Sequence, residues 1–229
     1  MMAYRLVECP SPNHDARDAA VDMLVLHYTG MKTADEALAR LTDPAAKVSA
    51  HYTIGRDGRV FRHVPEDRRA WHAGVSYWAG ARNINSRSIG IELVNPGHEF
   101  GYIPFTDEQI AALIDIAQEI IARHAIRPAR VVGHSDVAPS RKEDPGELFP
   151  WKPLAEYGIG LWPRMGEGIA PESALAQFGY GLPPDVECNT QTVVKAFQRH
   201  FHPQKIDGLW DHTCGTRLAS LLAQARAMS

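Results

Sequence analysis

Apolar positions along this chain follow two periods, one of two residues and one close to four. Met23-Leu24-Val25-Leu26 is a short, continuous apolar run, which predicts a strand buried on both faces and ending at His27. From Ser88 to Val94 the pattern alternates, with Ile89, Ile91 and Leu93 on one side and Gly90, Glu92 and Val94 on the other, as in a second strand. Glu92 then sits in mid-strand, where a charge is costly unless it faces a polar cleft. Tyr52 to Val64 reads as a hairpin about Asp57-Gly58, because glycine tolerates the positive φ of a tight turn. Arg130 to Gly133 is a further strand, ending at His134.

The longer period marks helices. Thr33-Ala34-Asp35-Glu36 and Thr106-Asp107-Glu108-Gln109 both have capping-box form. The first is followed by Ala37, Leu38 and Leu41 on one face. The second opens a long helix with Ile110, Leu113, Ile114, Ala117, Ile120 and Ile121 as its buried stripe. Interleaved strands and helices predict an α/β fold with a mixed central β-sheet flanked by helices. Past Tyr157 the composition changes. Residues 158–170 are rich in glycine and proline and read as a linker, and 171–229 carry only helical periodicity. Val193, Val194, Phe197 and Phe201 form one stripe and Leu218, Leu221 and Leu222 another, about a turn at Ile206-Asp207-Gly208. A small all-α three-helix domain is expected after a first domain spanning 1–157.

Bulk properties narrow the choice of function. A chain of 229 residues with 45% hydrophobic content can bury one good core and a small second one. The net charge is −3 with no Lys/Arg block, so nucleic-acid binding is not expected. No run approaches the ~18 apolar residues of a membrane span. Cys9, Cys188 and Cys214 are odd in number and far apart, which argues against a disulfide framework and for a reducing compartment. The stretch from Met1 to Pro10 lacks the apolar core of a signal peptide, which also weakens Cys9 as a lipoprotein site.

The candidate chemistry lies at strand ends. His27, His134 and Asp144 offer two imidazoles and a carboxylate, the ligand count of a catalytic zinc site with its fourth position left to water. Zinc would acidify that water and polarise a carbonyl. Glu92 could then relay its proton, and Lys142 could hold a developing oxyanion. Each residue alone has a plainer reading: a solvated histidine, an edge-strand charge, an exposed Lys142–Asp144 pair. His51 and His72 compete as ligands, while His14, His63, His98, His124, His200, His202 and His212 look like surface or packing residues.

Taken together, Ser11-Pro12-Asn13, Leu26-His27-Tyr28-Thr29, Ala50-His51-Tyr52, Trp71-His72-Ala73-Gly74, Ser88-Ile89-Gly90-Ile91-Glu92 and the loop from Gly133 to Gly146 resemble the zinc-dependent N-acetylmuramoyl-L-alanine amidases of the AmpD/AmiD type. The resemblance covers roughly residues 5–155. It implies one Zn2+ per chain held by His27, His134 and Asp144, with Glu92 as general base and acid and Lys142 as oxyanion stabiliser. It demotes His51 and His72 from ligands. His72 and Trp71 are then expected to line or support the substrate cleft, and Asn95 and Arg141 are candidate substrate contacts, with Arg141 alternatively an anchor of its loop. Cleavage would fall on the amide between the lactyl group of N-acetylmuramic acid and L-alanine of the peptidoglycan stem. Asp144 as third ligand separates the chain from relatives with cysteine there.

The tail, through Phe197-Gln198 and Asp207-Gly208, resembles a three-helix peptidoglycan-binding domain; its plainer reading is a helical cap. Two other functions compete: a muropeptide-binding protein without activity, and a zinc amidase or peptidase acting on another acyl–peptide bond. The cysteines and N-terminal composition suit the cytoplasm, whereas the tail suits an enzyme of the periplasm or envelope.

Overall fold

The computed structural model describes residues 4–164 and 168–228; Met165, Gly166 and Glu167 of the expected linker, and the first three residues, lie outside the described residues. The main sheet has six strands, β1 (Leu6–Glu8), β3 (Met23–Tyr28), β4 (Tyr52–Ile54), β5 (Val60–Arg62), β7 (Ser88–Leu93) and β8 (Val131–Gly133), in the order β1-β5-β4-β7-β3-β8. β4 and β5 are antiparallel; the other neighbours run parallel, so the sheet is mixed. β2 (His14–Ala16) and β6 (Arg68–Ala70) pair separately. The helices are α1 (Ala34–Thr42), α2 (Ile84–Arg87), α3 (Gly97–Phe100), α4 (Asp107–His124), α5 (His134–Val137), α6 (Trp151–Glu156), α7 (Leu175–Phe178), α8 (Thr190–Phe201) and α9 (His212–Ala227).

Side-chain alternation gives the sheet two unlike faces. On one, Leu24, Leu26, Ile54, Ile89, Ile91 and Leu93 pack with Leu113, Ile116, Ala117 and Ile120 of α4. Burial of each such Leu or Ile contributes roughly 1.5–3 kcal/mol. Both predicted capping boxes are formed, at Thr33 with Glu36 and at Thr106 with Gln109. The buried row of α4 is turned slightly from the expected stripe. Gln109, Ala112 and Ile116 are fully packed, whereas Ile110, Ile114 and Ile121 flank the core. The cause is polar: the Gln109 amide is buried because Nε2 donates to the carbonyls of Ile54 and Val94, satisfying the ends of two strands.

The opposite face carries Met23 and Val25, then Ser88, Gly90 and Glu92, with His27 closing the row. Its apolar part packs on the C-terminal helices, in one cluster that joins Met23, Val25, Val132 and Val137 to Phe178, Tyr180, Val193, Phe197, Phe201 and Leu218. Ile159 and Leu161, in the expected linker, are buried as well. The polar part of this face, at the C-terminal ends of parallel β3, β7 and β8, forms the floor of a cleft. Ligands in open α/β sheets commonly bind at such strand ends.

Candidate active site

Strand register brings the candidate residues together. His27 lies opposite Glu92 across β3 and β7, and β8 runs beside β3 and ends where His134 begins α5. The loop after α5 returns, fastened by the Ser135 N–H donating to the Asp144 carbonyl at 2.9 Å. Three atoms then converge in a buried pocket. His27 Nδ1 and His134 Nδ1 are 2.9 Å apart, and Asp144 Oδ2 is 3.0 Å from each.

The far sides of the rings decide what these atoms present. His134 Nε2 faces the Ala73 carbonyl at 3.2 Å, which can only accept, so the ring proton sits on Nε2 and Nδ1 is a bare lone pair. For His27 the chain of partners is longer. Ser88 Oγ donates to the Ile84 carbonyl at 2.6 Å and therefore accepts from His72 Nε2 at 3.2 Å. Neutral His72 then has a bare Nδ1, which accepts from His27 Nε2 at 3.0 Å, and His27 Nδ1 is also left without a proton. Two bare nitrogens and a carboxylate oxygen facing one another repel unless a cation lies between them. Ligands 2.0–2.1 Å from a tetrahedral zinc stand about 3.3 Å apart, close to the separations found. His27, His134 and Asp144 thus form a buried group that could hold a metal ion.

Electrostatics agree with the geometry. Burial, then the neighbouring His134, lowers the His27 pKa to about 4, so the ring is a neutral donor at pH 7. Burial would raise the Asp144 carboxyl, but when His134 and His27 carry positive charge and donate to it, in the place a cation would take, they hold it well below the usual carboxylate range. Glu92 is the opposite case: burial first, and Asp144 second, push its carboxyl well up. Glu92 Oε1 is 4.0 Å from His27 Nδ1, and its buried Oε2 has no hydrogen-bond partner. Lys142 lines the same cleft, and its charge acts on both His27 and Glu92.

The cleft, of about 540 Å³, is lined by Glu92, His134, Lys142 and Asp144 with Trp71, His72 and Arg141. Trp71 donates Nε1 to Asp15 at 2.7 Å, which sets its ring at the rim. Arg141 commits Nε and Nη2 to the carbonyls of Val75 and Ala73, the latter being the carbonyl that orients His134. It anchors the loop while bordering the cleft. Asn95 is a correction. It is fully buried away from the cleft, with Nδ2 donating to the Ile103 carbonyl and Oδ1 accepting from the Gly97 N–H, so its amide is out of a substrate's reach. His51 is buried too, accepting from the Gly90 N–H at Nδ1 and facing Arg17 through Nε2, and lies outside the three-atom group.

The sequence reads His98 as a surface or packing residue and gives no role to Tyr28 or Asp136. His98 and Tyr28 bond at 2.8 Å and border the cleft beside Glu143. Tyr28, next to His27, is the available signal for the first pair; Asp136 gives none, because its side-chain partners Tyr180 and His200 lie 44 and 64 residues further along. The segment 78–85 is held at its ends, with Trp78 buried against Phe178 and Tyr180 and Asn85 Oδ1 accepting from the His72 and Ala73 N–H groups, while Ala79, Gly80, Arg82 and Asn83 between them are exposed.

Known proteins share this architecture. N-acetylmuramoyl-L-alanine amidase AmiD of Escherichia coli strain K12 is 42% identical over 216 residues, covering 82% of this chain and 77% of that protein. The 1,6-anhydro-N-acetylmuramyl-L-alanine amidase AmpD of Enterobacter cloacae is 38% identical, over 62% of this chain and 84% of its own length. The structure of E. coli AmiD with anhydro-N-acetylmuramic acid-L-Ala-D-γ-Glu-L-Lys superposes with a TM-score of 0.79 at 39% identity, covering 92% of both chains. AmpDh3 from Pseudomonas aeruginosa, in complex with an anhydromuramic pentapeptide, gives 0.82 at 36% identity, over 90% of this chain and 92% of that one. Residues 17–147 match the model of the N-acetylmuramoyl-L-alanine amidase family, and with a 42% identical relative spanning most of its length, the chain belongs to that family of enzymes.

Proposed function

We propose that this amidase is zinc-dependent and hydrolyses the amide joining the lactyl group of N-acetylmuramic or anhydro-N-acetylmuramic acid to L-alanine of the stem peptide. The observation that carries the proposal is the convergence of two bare imidazole nitrogens and a carboxylate beside Glu92, whose buried Oε2 has no hydrogen-bond partner and whose carboxyl is pushed up by burial. His27, His134 and Asp144 would hold the zinc. When bound, zinc supplies Lewis acidity and makes water a stronger acid.

This chain's own groups do the rest. Glu92 takes the proton of the attacking water and returns it to the alanine nitrogen as the C–N bond breaks, the task for which a raised carboxyl pKa is suited. Lys142 places its ammonium where charge develops on the lactyl oxygen. Trp71 and His98 border the space for sugar and peptide. Two acceptable sugar ends are expected, muramic and 1,6-anhydromuramic; a strict requirement for the anhydro form in turnover assays would overturn that part.

Residues 171–229 are proposed to contribute to peptidoglycan binding as a helical domain, which deletion of wall affinity by surface substitutions on α9 would test. The three unpaired cysteines support work in the cytoplasm; recovery of the protein with the periplasm or envelope on fractionation would overturn this. Among the described residues no helix is long and apolar enough to cross a membrane.

Mass spectrometry of products from a purified muropeptide tests the main proposal, using untreated enzyme, chelator-treated enzyme and Glu92→Ala. Free stem peptide that disappears with chelator and with the substitution supports it. Cleavage indifferent to both would overturn the site assignment.

A further inference from the structure

α8 touches the segment that supplies His134, Lys142 and Asp144 at two separate places. Arg199 Nη2 donates to Glu143 Oε1 at 2.8 Å, and its Nε lies 3.8 Å from Glu147 Oε2. Glu143 stands between Lys142 and Asp144 in the chain. The next residue of α8, His200, bonds through Nδ1 to Asp136 Oδ2 at 2.7 Å. Tyr180, from the turn after α7, donates its hydroxyl to Asp136 Oδ1 at 2.6 Å.

Asp136 is in α5, two residues past His134, and is almost wholly buried. Its Oδ2 also accepts from the Gly133 N–H at 2.7 Å, so it staples the end of β8 to the turn on which His134 sits. A buried carboxylate is tolerated only when its oxygens are satisfied, and Tyr180 and His200 supply that from the C-terminal region. The His200 ring cannot swing away, being stacked 3.8 Å from both Trp151 and Phe201. Because Ser135 N–H holds the Asp144 carbonyl, a shift of α5 would carry Asp144 with it.

We infer that Tyr180, Arg199 and His200 are positioning residues of the amidase site, through which the C-terminal helices hold the 133–147 segment so that His134, Lys142 and Asp144 keep their separations. This rests on the reading that His27, His134 and Asp144 bind zinc. It assigns the helical region a task in the chemistry that is independent of any grip on the cell wall.

The test uses the full-length chain. Tyr180→Phe removes one hydroxyl and keeps the ring in its packing. Arg199→Ala, Arg199→Lys and Glu143→Ala probe the other brace. Zinc affinity is measured by competition with a chromophoric chelator, the geometry of the site by the visible absorption of cobalt-loaded protein, and catalysis by kcat and KM on an anhydromuramyl peptide. Tyr180→Phe should weaken zinc binding about 10-fold, the usual scale for groups that orient metal ligands, and alter the cobalt bands. Arg199→Ala should lower kcat several-fold with KM little changed, Arg199→Lys should recover most of it, and adding Glu143→Ala should cost nothing further. Ion pairs near the surface add little to stability, so Arg199→Ala and Glu143→Ala should keep Tm close to wild type, whereas Tyr180→Phe leaves a buried Asp136 oxygen unpaired and should lower it. Folded Tyr180→Phe and Arg199→Ala proteins with wild-type zinc affinity, cobalt spectrum and kcat would overturn the inference. If Tyr180→Phe does not fold, the Arg199 series decides alone. A wild-type chain that binds no zinc would overturn the metal reading itself, before any variant is compared.

Discussion

Ser88→Ala removes a single oxygen, yet it should be felt at His27, two bonds of the hydrogen-bond chain away. Ser88 is fully buried, donates to the Ile84 carbonyl and accepts from His72 Nε2. Without it, His72 can keep its proton on Nε2, leaving an N–H with no acceptor in the protein interior at a cost of about 1–3 kcal/mol. Otherwise the proton moves to Nδ1, which faces His27 Nε2 at 3.0 Å. His27 must then carry its own proton on Nδ1, inside the three-atom group, where it opposes a cation. The first response costs stability alone; the second, the cheaper one for the metal-free protein, weakens zinc binding by about 10–100-fold on the scale of other outer partners of metal ligands, or roughly 1.4–2.7 kcal/mol. Ser88→Thr is the control. It restores the hydroxyl while adding a methyl to a filled site, so it should lose about 1–3 kcal/mol of stability with zinc affinity largely kept. The assay is chelator competition at pH 7.5, paired with chemical denaturation of the metal-free proteins. Zinc affinity of Ser88→Ala within twofold of wild type, or an equal loss in the Ala and Thr variants, would refute the tautomer reasoning.

Other outcomes follow from the same geometry. Glu92→Gln should lower kcat by about 10²–10⁴ while zinc still binds, measured by product release and metal titration. Gly90→Ala would bring a Cβ to 2.5 Å from the His72 ring, so it should destabilise by about 1–3 kcal/mol in denaturant titrations and weaken zinc binding as His72 is displaced. The buried His51, lowered to about 3 by burial and by Arg17, binds its proton far more readily in the unfolded chain. Its contribution to stability is therefore full above pH 6.5 and falls by about 1.4 kcal/mol per unit as the pH drops toward 3, a slope that denaturation across pH should show reduced in His51→Gln. Removing zinc with a chelator should lower Tm, and equimolar zinc should restore it.

What the sequence discloses about this site, and what it withholds, has a physical basis. The strand whose apolar run stops at His27, the strand that runs into His134, and Glu92 within its own strand were visible because a β-strand exposes alternate residues and its apolar run stops where the cleft begins. The two capping boxes are local, since donor and acceptor lie three residues apart. Asn95 was misjudged because nothing in its neighbourhood reveals that Ile103 and Gly97 will claim both ends of its amide. The place of His72 behind His27 depends on a loop meeting a strand 45 residues earlier, and the bond from His200 to Asp136 spans 64. Gln109 reads as a polar cap and is also a buried bridge between strand ends. Periodicity carries one face of one element; pairings across the fold leave no mark in it.

The shared packing of the sheet with the C-terminal helices bears on how the enzyme could work along a polymer. A module on a flexible tether acts as a leash: it raises the local concentration of substrate but leaves open which bond is presented. Here Met23, Val25 and Val132 of the sheet and Phe197, Phe201 and Leu218 of the tail occupy one cluster, so the two parts turn together. A glycan strand gripped by such a tail would be presented to the cleft at one distance and one angle. Were residues 171–229 to grip the wall as proposed, the arrangement would be a ruler rather than a leash, selecting stems on polymeric substrate at a set spacing from the point of grip.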